Sequence, residues 1–259
     1  MRKNKLSVVL ATHNEEKNIK DCLSSIEDLA NEIVIIDGSS TDKTREIARN
    51  LGARIIKTSN KLMFHKNKQM ALEKASGSWI LQLDADERVS QELGKEIKTK
   101  ISGGIENING YYIPRKNYFF GRWLKKGGQY PDYVIRLVKK GKASFPCKTV
   151  HEQIRVEGEV DYLKNPLIHL ASPNLASYLK KANIYTLETA LKLLEKRDNK
   201  LLKAGDYLLV KPIFTFFSLF IRHKGFVDGI YGFLFALFSS LHFPLAFFKY
   251  LNLDRKKTK

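Results

Sequence analysis

Short apolar runs alternate with helical patterns in the first half of the chain, and this alternation restricts the fold more than any other feature. Four runs rich in β-branched residues are predicted strands, at 6–11, 32–37, 53–57 and 79–84. Between the first two, apolar residues recur on one helical face: Ile19, Cys22, Leu23, Ile26 and Leu29. Thr41 or Asp42 can cap a second helix that ends near Gly52, and a third helix is expected within 64–75. The order βαβαβαβ predicts an α/β fold with a mostly parallel, Rossmann-like sheet and flanking helices.

The second half of the chain predicts a different structure. Leu93, Ile97 and Ile101 place one more helix after Ser90. The stretch 110–156 is rich in aromatic and basic residues and predicts twisted antiparallel strands and loops. A long amphipathic helix is expected to follow Ser172 and Pro173.

Composition is typical of a globular protein, and the cysteine content is compatible with a reducing compartment. The chain has 259 residues, of which 43% are apolar and 28% charged. Cys22 and Cys147 are too few and too far apart for a disulfide framework or a CxxC metal site. The first apolar run, 6–11, is short for a signal peptide and far too short to span a bilayer. We therefore expect a cytoplasmic N-terminus.

The last fifty residues are apolar enough to meet a membrane. Lys211 is the only charged residue in 207–221, and 230–248 has no formal charge over nineteen residues. Polar or helix-disturbing residues interrupt the second segment, namely Gly232, Ser239, Ser240, His242 and Pro244. Basic residues flank it on both sides. We predict two helices that lie in the cytoplasmic lipid interface, with a bilayer-spanning segment and core helices of a soluble domain as the alternatives.

The formal net charge of +18, from 45 Lys and Arg against 27 Asp and Glu, predicts a negatively charged partner. Nucleic acid, anionic lipid and phosphorylated substrates all satisfy this condition. The positive charge is spread over helices and tail, and no recognised nucleic-acid-binding motif is present. We expect an anionic membrane surface and no nucleic acid, and keep a basic nucleic-acid-binding protein as the alternative from another class.

Three predicted strands end in polar residues, "THNEE", "DGSSTD" and "DADE". Ligands of open α/β sheets bind beyond the carboxyl ends of the strands. Asp37 is placed to accept hydrogen bonds from a ribose or base. Asp84 and Asp86 point to one side of an extended chain and suit Mg²⁺ or Mn²⁺ when substrate phosphates complete the shell. Glu87 is expected to be an anionic start to the helix after Ser90.

At these residues the chain resembles family 2 glycosyltransferases, which have the nucleotide-sugar-binding fold called GT-A. The matching segments are "SVVLATHNEEKNIKDCLSSI", "EIVIIDGSSTDKTREIA", "KNKQMALEKASGSWILQLDADE", "GGQYPDYVIRLVKKGKASF" and "VHE". They cover roughly residues 6–169. Within the family the chain is most similar to lipopolysaccharide inner-core β-1,4-glucosyltransferases, whose chains also end in an apolar tail with an element like "GFVDGIYG".

The resemblance implies a role for each matching residue at the donor site. The donor-nucleotide-binding residues would be Thr12, Glu15, Asp37, Lys68 and Asp84. Lys68 would meet the diphosphate, Asp84 would touch ribose or metal-bound water, and Asp86 would coordinate the metal. From the residues alone, Glu15 could instead favour a helix N-terminus, and Lys68 could lie on a solvated helix face.

A general base and acceptor contacts complete the predicted site. The resemblance favours Glu152 as the base, with Asp132 as an alternative that could instead orient the acceptor sugar. His151 is a candidate further metal ligand or a structural histidine. Acceptor binding is predicted for three residues, Arg122, Trp123 and Arg136, with core packing as the alternative for Trp123.

Together these features predict an inverting, metal-dependent enzyme on the cytoplasmic face of the inner membrane, peripheral or monotopic. It would add one hexose, such as glucose from UDP-glucose, to a lipopolysaccharide core. Addition of a single sugar is favoured because "FFGRWL" has Phe119 where processive members carry the Gln of QxxRW. Alternatives are a polyprenyl phosphate or another lipid-linked glycan as acceptor, and a non-catalytic membrane scaffold.

The predicted domains are a GT-A catalytic domain, 1–205, and a membrane-associating helical tail, 206–259. The catalytic domain would divide into a nucleotide-binding half, about 1–103, and an acceptor half, about 104–205. The sequence does not determine the oligomeric state.

Overall fold

The computed structural model describes residues 5–60, 64–103, 107–147, 153–195 and 199–257. The chain forms two compact units. The first consists of Met1–Arg115 and Tyr133–His169, and the second of Lys116–Asp132 and Leu170–Lys259. The division into a catalytic domain and a tail at residue 205 is a functional one and stays a prediction.

Ten of the described strands form one sheet. In chain order its strands are β1 (Leu6–Thr12), β2 (Glu32–Gly38), β3 (Arg54–Thr58), β4 (Trp79–Leu83), β5 (Glu87–Val89), β6 (Ile108–Phe119), β7 (Arg122–Trp123), β8 (Asp132–Lys139), β11 (Glu159–Tyr162) and β12 (Leu167–Ser172). Two short strands, β9 (Ala143–Ser144) and β10 (Arg155–Val156), pair with each other. The sheet order is β3-β2-β1-β4-β8-β6-β12-β5, and β7 and β11 also pair with β6. Strands β1 to β4 are parallel, and β8 runs antiparallel to β4.

The helices of the described residues are α1 (Ile19–Ser24), α2 (Thr44–Asn50), α3 (His65–Lys74), α4 (Gln91–Ser102), α5 (Leu175–Glu195), α6 (Lys200–Gly205), α7 (Lys211–Phe217) and α8 (Gly229–Lys257). π-Helical turns at Asp206–Val210 and Ser218–Arg222 flank α7, and a 3₁₀ turn at Gly225–Asp228 precedes α8. The four strands and four helices predicted up to Ser102 are confirmed in place and order.

Strand β1 shows why these apolar runs become central strands. Leu6, Val8 and Leu10 join one core cluster with residues of α1, α2 and α4, whereas Val9 joins a second cluster with residues of α3. Side chains alternate between the two faces of a strand, and helices cover both faces here. A parallel strand that is buried on both faces is continuously apolar, as this one is.

The ends of two helices differ from simple periodicity. Helix α1 ends at Ser24, but Ile26 and Leu29 remain buried because hydrogen-bonded turns carry the chain onward over the same core. The N-cap of α2 is Lys43 rather than Thr41 or Asp42, and Asp42, one residue earlier, accepts a 3.0 Å hydrogen bond from the Thr44 N–H on its Oδ1. The buried face predicted for α1 is thus confirmed more closely than the length of the helix.

The second compact unit contains the apolar helices. Tyr178 on α5 stacks on Phe238 of α8, with ring centroids 5.4 Å apart, and Thr189 Oγ1 lies 3.0 Å from His242 Nε2. Two helical segments, Lys200–Arg222 and Gly225–Arg255, are long and apolar enough to cross a membrane by length and composition. Two C-terminal apolar helices are therefore confirmed, and their interfacial position stays a prediction.

Candidate active site

The carboxyl end of β4 carries a cluster of paired charges. Asp84 directly follows β4 and faces two buried cations. Lys68 Nζ on α3 lies 2.5 Å from Asp84 Oδ1, and Arg136 Nη2 on β8 lies 2.6 Å from Asp84 Oδ2. Desolvation raises the pKa of Asp84, but the Arg136 guanidinium and the Lys68 ammonium outweigh it and hold that pKa well below its usual range. Asp84 is therefore an anion at neutral pH, with its charge balanced by two cations.

Glu87 and Arg136 form the buried base of this cluster. Glu87 is fully buried, and its Oε1 lies 2.7 Å from Arg136 Nη2 and 3.7 Å from Arg115 Nη1. Its Oε2 accepts a 2.8 Å hydrogen bond from the Asp84 N–H. Burial lowers the pKa of Arg136, but the carboxylates of Asp84 and Glu87 outweigh this effect and hold the pKa above its ordinary value. The expectation that Glu87 only begins a helix is wrong, because it starts β5 inside the site, where arginines balance its charge.

Asp86 lies beside a histidine. Strand β12 pairs antiparallel with β5, and His169 stands opposite Glu87 in the register. This pairing places His169 Nε2 3.7 Å from Asp86 Oδ2. Within the described ranges, no group of three His, Cys, Asp or Glu side chains is arranged to hold a metal ion. Shared metal binding by Asp84 and Asp86 therefore stays a prediction.

The residues predicted to bind the nucleoside meet where β1 and β2 end. Thr12 stands opposite Asp37 in the register, and its hydroxyl donates a 3.3 Å hydrogen bond to Asp37 Oδ2. Ser40 donates to the same carboxylate from its N–H at 3.1 Å and from its hydroxyl at 2.5 Å. Arg45 Nη1 lies 3.4 Å from Asp37 Oδ1. Because Asp37 is fully buried, these donors hold a carboxylate in a set orientation at the edge of the sheet.

The sequence allows two interpretations of Glu15 and of Lys68. Asn18 Nδ2 donates a 2.8 Å hydrogen bond to Glu15 Oε2, and the Glu15 N–H donates to Thr44 Oγ1 at 2.7 Å. These contacts support a local role for Glu15 before α1, and its nucleoside contact stays a prediction. Lys68 is only 8% exposed and is ion-paired with Asp84, so the alternative of a solvated helix residue is wrong.

The predicted acceptor residues have different surroundings. In the second compact unit, Arg122 is exposed, and Trp123 is half-buried with Lys116 Nζ 4.6 Å from its ring centroid. Arg136 belongs to the first unit, where its guanidinium donates to Gln82 and pairs with two carboxylates. Its buried position favours an internal role, and the acceptor contacts of all three predicted residues stay predictions.

The two candidates for the base differ in what the structure describes. Asp132 lies in the second compact unit, where its Oδ2 accepts a 2.9 Å hydrogen bond from Asn117 Nδ2. Glu152 and the candidate metal ligand His151 lie outside the described residues. The roles of all three stay predictions.

Sequence reasoning overlooked His169 and Arg115. His169 interrupts the apolar run "PLIHLAS", and a polar residue inside a strand-like run is a signal that could have identified it. Arg115 has no comparable signal, since it is one basic residue among several in "PRKNY". Only strand pairing brings these residues to Asp86 and Glu87.

Comparison with known proteins gives a consistent result over most of the chain. The family model described as "Glycosyl transferase family 2" matches residues 7–183. The chain is 30% identical over 240 residues to an uncharacterized glycosyltransferase of Rickettsia typhi, covering 89% of this chain and 81% of that protein. It is 28% identical over 253 residues to the lipopolysaccharide core biosynthesis glycosyltransferase LpsC of Rhizobium meliloti, covering 92% of this chain and 88% of LpsC.

A solved structure supports the same fold. The chain resembles S. aureus TarS 1-349 in complex with UDP, with a TM-score of 0.51 and 18% identity over 87% of this chain and 75% of that one. At this identity the likeness shows the fold alone. That fold is the predicted GT-A arrangement.

Proposed function

Because this chain belongs to glycosyl transferase family 2, we propose that it moves one hexose, such as glucose from UDP-glucose, to a glycolipid by inverting, metal-dependent transfer. The observation that carries this proposal is the ion-paired cluster at the end of β4, where Lys68 and Arg136 hold Asp84. LpsC is named for lipopolysaccharide core biosynthesis, which supports a lipopolysaccharide core as acceptor. Polyprenyl phosphate or another lipid-linked glycan is the alternative.

The donor nucleotide would bind at the carboxyl ends of β1, β2 and β4. Asp37 is proposed to accept hydrogen bonds from a base or ribose; because it is fully buried and already accepts from Thr12, Ser40 and Arg45, a donor nucleotide would have to replace one of these contacts. Thr12 and Glu15 would line the same edge. Lys68 would meet the diphosphate. TarS binds UDP on the same fold, which supports a uridine nucleotide.

Asp86 and His169 fit a divalent metal that arrives with the donor. Carboxylate and imidazole are both ligands of Mn²⁺, and their nearest atoms are 3.7 Å apart. Asp84 is already balanced by two cations, which favours Asp86 over Asp84 as the direct ligand. His151 is retained as a further candidate ligand. When bound, Mg²⁺ or Mn²⁺ would neutralise the diphosphate as a Lewis acid.

The residues of this chain would then catalyse a single nucleophilic displacement at the anomeric carbon of the donor sugar. The acceptor hydroxyl gives its proton to a carboxylate, with Glu152 as the proposed base and Asp132 as the alternative. Its oxygen bonds to the anomeric carbon while the bond from that carbon to the diphosphate oxygen breaks, so the configuration inverts. Lys68 would stabilise the negative charge that develops on the leaving diphosphate.

The apolar helices support an acceptor at a membrane. Large apolar side chains are exposed along both segments, including Phe214 at 67% and Ile230 at 61%. We propose that the enzyme is peripheral or monotopic on the cytoplasmic face of the inner membrane, with Arg122 and Trp123 contacting the acceptor. Family membership favours this enzyme over a nucleic-acid-binding protein or a non-catalytic scaffold.

A panel of nucleotide sugars tests the proposed reaction. Donor hydrolysis and transfer to deacylated lipopolysaccharide core are measured with and without Mg²⁺ or Mn²⁺. We expect one uridine donor to be used, and only with metal present. Equal turnover in a chelator would contradict the metal, and turnover of a guanosine donor alone would contradict the donor.

A further inference from the structure

The "GFVDGIYG" element, residues 225–232, is not explained by the transfer reaction. It forms the 3₁₀ turn Gly225–Asp228 and the first turn of α8, at the start of the second apolar segment. Glycines are required there because a Cβ on Gly232 would lie 1.9 Å from the Gly225 carbonyl oxygen. Lys224 and Gly229, on either side of the 3₁₀ turn, have positive φ values of 57° and 60°. The turn is therefore tightly specified, which indicates a role beyond joining two helices.

Asp228 in this turn holds a second loop of the same compact unit, residues 121–128. Its Oδ1 accepts a 3.0 Å hydrogen bond from the Lys125 N–H, and its Oδ2 accepts a 2.8 Å hydrogen bond from the Lys126 N–H. The Gly127 N–H donates to the His223 carbonyl oxygen at 2.9 Å. These bonds use the carboxylate to orient the backbone and do not involve the lysine side chains, of which Lys125 has its Nζ 5.5 Å from the Trp123 ring centroid.

We call the hydrogen bonds from the Lys125 and Lys126 N–H groups to Asp228 the clasp. The clasp brings basic side chains of the two segments to one place. The loop contributes Arg122, Lys125 and Lys126, and the residues just before the turn contribute Arg222 and Lys224. All five side chains are exposed. In the part of the chain that the structure describes, none of the five forms an ion pair. We call these five residues the basic tip.

Exposed apolar residues lie directly beside the basic tip. Ile221, Phe226 and Val227 are 53%, 50% and 55% exposed. Apolar side chains next to unpaired cations match the order of a bilayer surface, in which acyl chains lie beneath anionic headgroups. A soluble anion would be matched by the cations but would leave the apolar residues in water.

We propose that the basic tip is a binding site for the phosphate headgroups of anionic lipids, built by the clasp between Asp228 and the loop. This inference rests on the proposed membrane-bound function for its setting. Apart from Arg122, which is proposed above to contact the acceptor, it concerns residues that the transfer reaction does not use. Each basic residue near an anionic surface strengthens partitioning roughly fivefold. The site would thus select anionic membranes, whereas the apolar helices alone would bind neutral ones as well.

Vesicle cosedimentation of the full chain tests this site. The vesicles are phosphatidylcholine alone or with about one third phosphatidylglycerol. Lys125→Gln with Lys126→Gln should weaken binding to the anionic vesicles about 25-fold and leave binding to neutral vesicles unchanged. The matched control is Lys95→Gln with Lys98→Gln, which removes two exposed lysines from α4 and should change binding less than about twofold. Equal losses in the two pairs, or no loss in the first, would overturn the site.

Asp228→Ala separates a built site from simple charge. The substitution removes a negative charge, so charge counting predicts tighter binding to anionic vesicles. If the clasp builds the site, binding should instead weaken, because the Lys125 and Lys126 N–H groups lose the carboxylate that holds the loop in place. Binding as tight as that of the wild type, or tighter, would show that the clasp does not build the site.

Inorganic phosphate distinguishes lipid headgroups from free anions. At equal ionic strength, phosphate and chloride should release the protein from anionic vesicles to nearly the same extent, because the exposed apolar residues beside the basic tip contact lipid and gain nothing from inorganic phosphate. Much stronger release by phosphate would assign the basic tip to a soluble phosphate instead. No donor is present in these assays, so a negative result leaves the transfer proposal standing, and a failed transfer assay leaves vesicle binding unaffected.

Discussion

Lys68 Nζ lies 2.5 Å from Asp84 Oδ1, so the lysine proposed to meet the donor diphosphate is already paired with the first carboxylate of "DADE". The pair holds a long, flexible side chain in one place before any donor is bound. A diphosphate would then share an ammonium group that is already oriented, at a lower cost in side-chain entropy.

Lys68→Gln should therefore weaken UDP binding by at least about tenfold, because it removes a cation and leaves the Asp84 charge facing the diphosphate. Isothermal titration with UDP in the presence of Mn²⁺ measures the effect. Lys66→Gln is the matched control, since Lys66 is exposed two residues earlier in α3. Equal weakening in both variants would show that Lys68 acts only through general charge.

Arg136→Met should lower the free energy of unfolding by about 3–5 kcal/mol, because it leaves the buried Glu87 carboxylate without its closest cation. Urea unfolding in detergent measures this change. Arg122→Met, at an exposed position, should stay within about 0.5 kcal/mol of the wild type. Adding Glu87→Gln to Arg136→Met should recover part of the loss, and no recovery would argue against a charge effect.

Acid should destabilise the protein through Asp84. Arg136 and Lys68, acting against desolvation, hold its pKa below the ordinary value, so this stabilisation is fully present above about pH 4 and is lost as the pH falls through the lowered pKa. The thermal unfolding temperature of the wild type should decrease as the pH is lowered below about 4, and that of Asp84→Asn should decrease less steeply. Asp28→Asn removes an exposed carboxylate and should keep the wild-type slope.

Asp86→Asn and His169→Ala should each weaken Mn²⁺ binding to the UDP-bound protein by at least about tenfold, because each removes one of the two proposed ligands. Electron paramagnetic resonance detects free Mn²⁺ and needs no turnover. His223→Ala, at an exposed position, serves as the control. If the His169 variant bound Mn²⁺ as tightly as the wild type, His169 would not be a metal ligand and Asp86 would remain the proposed one.

Glu152→Gln should reduce kcat by roughly 10²–10⁴ while UDP affinity stays near that of the wild type, because a base acts on the acceptor proton and not on the donor. Single-turnover transfer and UDP titration together separate the two effects. Asp132→Asn is the matched comparison. A large loss of kcat in the Asp132 variant alone would transfer the role of base to that residue.

The parallel half of the sheet could be predicted because its signals are local. The run at 6–11 is apolar throughout since both faces of β1 are buried, and the lengths of such runs separate strands from helices. Helix ends were predicted less accurately, as at α1, because hydrogen-bonded turns can continue a buried face after the regular helix stops.

The charge cluster was only partly predictable. Lys68, Asp84 and Asp86 were identified as site residues from strand ends and from the family resemblance. Arg136 was predicted only as an acceptor-binding residue, and its pairing with Asp84 was not predicted, because it is 52 positions from Asp84 along the chain and reaches it only through the pairing of β8 with β4. Glu87 was misjudged for the same reason, since a buried carboxylate cannot be recognised without its arginines.

The amino-acid sequence by itself determined the family, the α/β class, the polar strand ends and the apolar C-terminal helices, because residue type and short spacing carry all of these. Tertiary structure decided which cation balances which carboxylate, which histidine faces Asp86, and which loop Asp228 holds. The physical reason is distance: a buried charge is stable only with a partner in direct contact, and strand register and turn geometry, rather than position along the chain, bring that partner there.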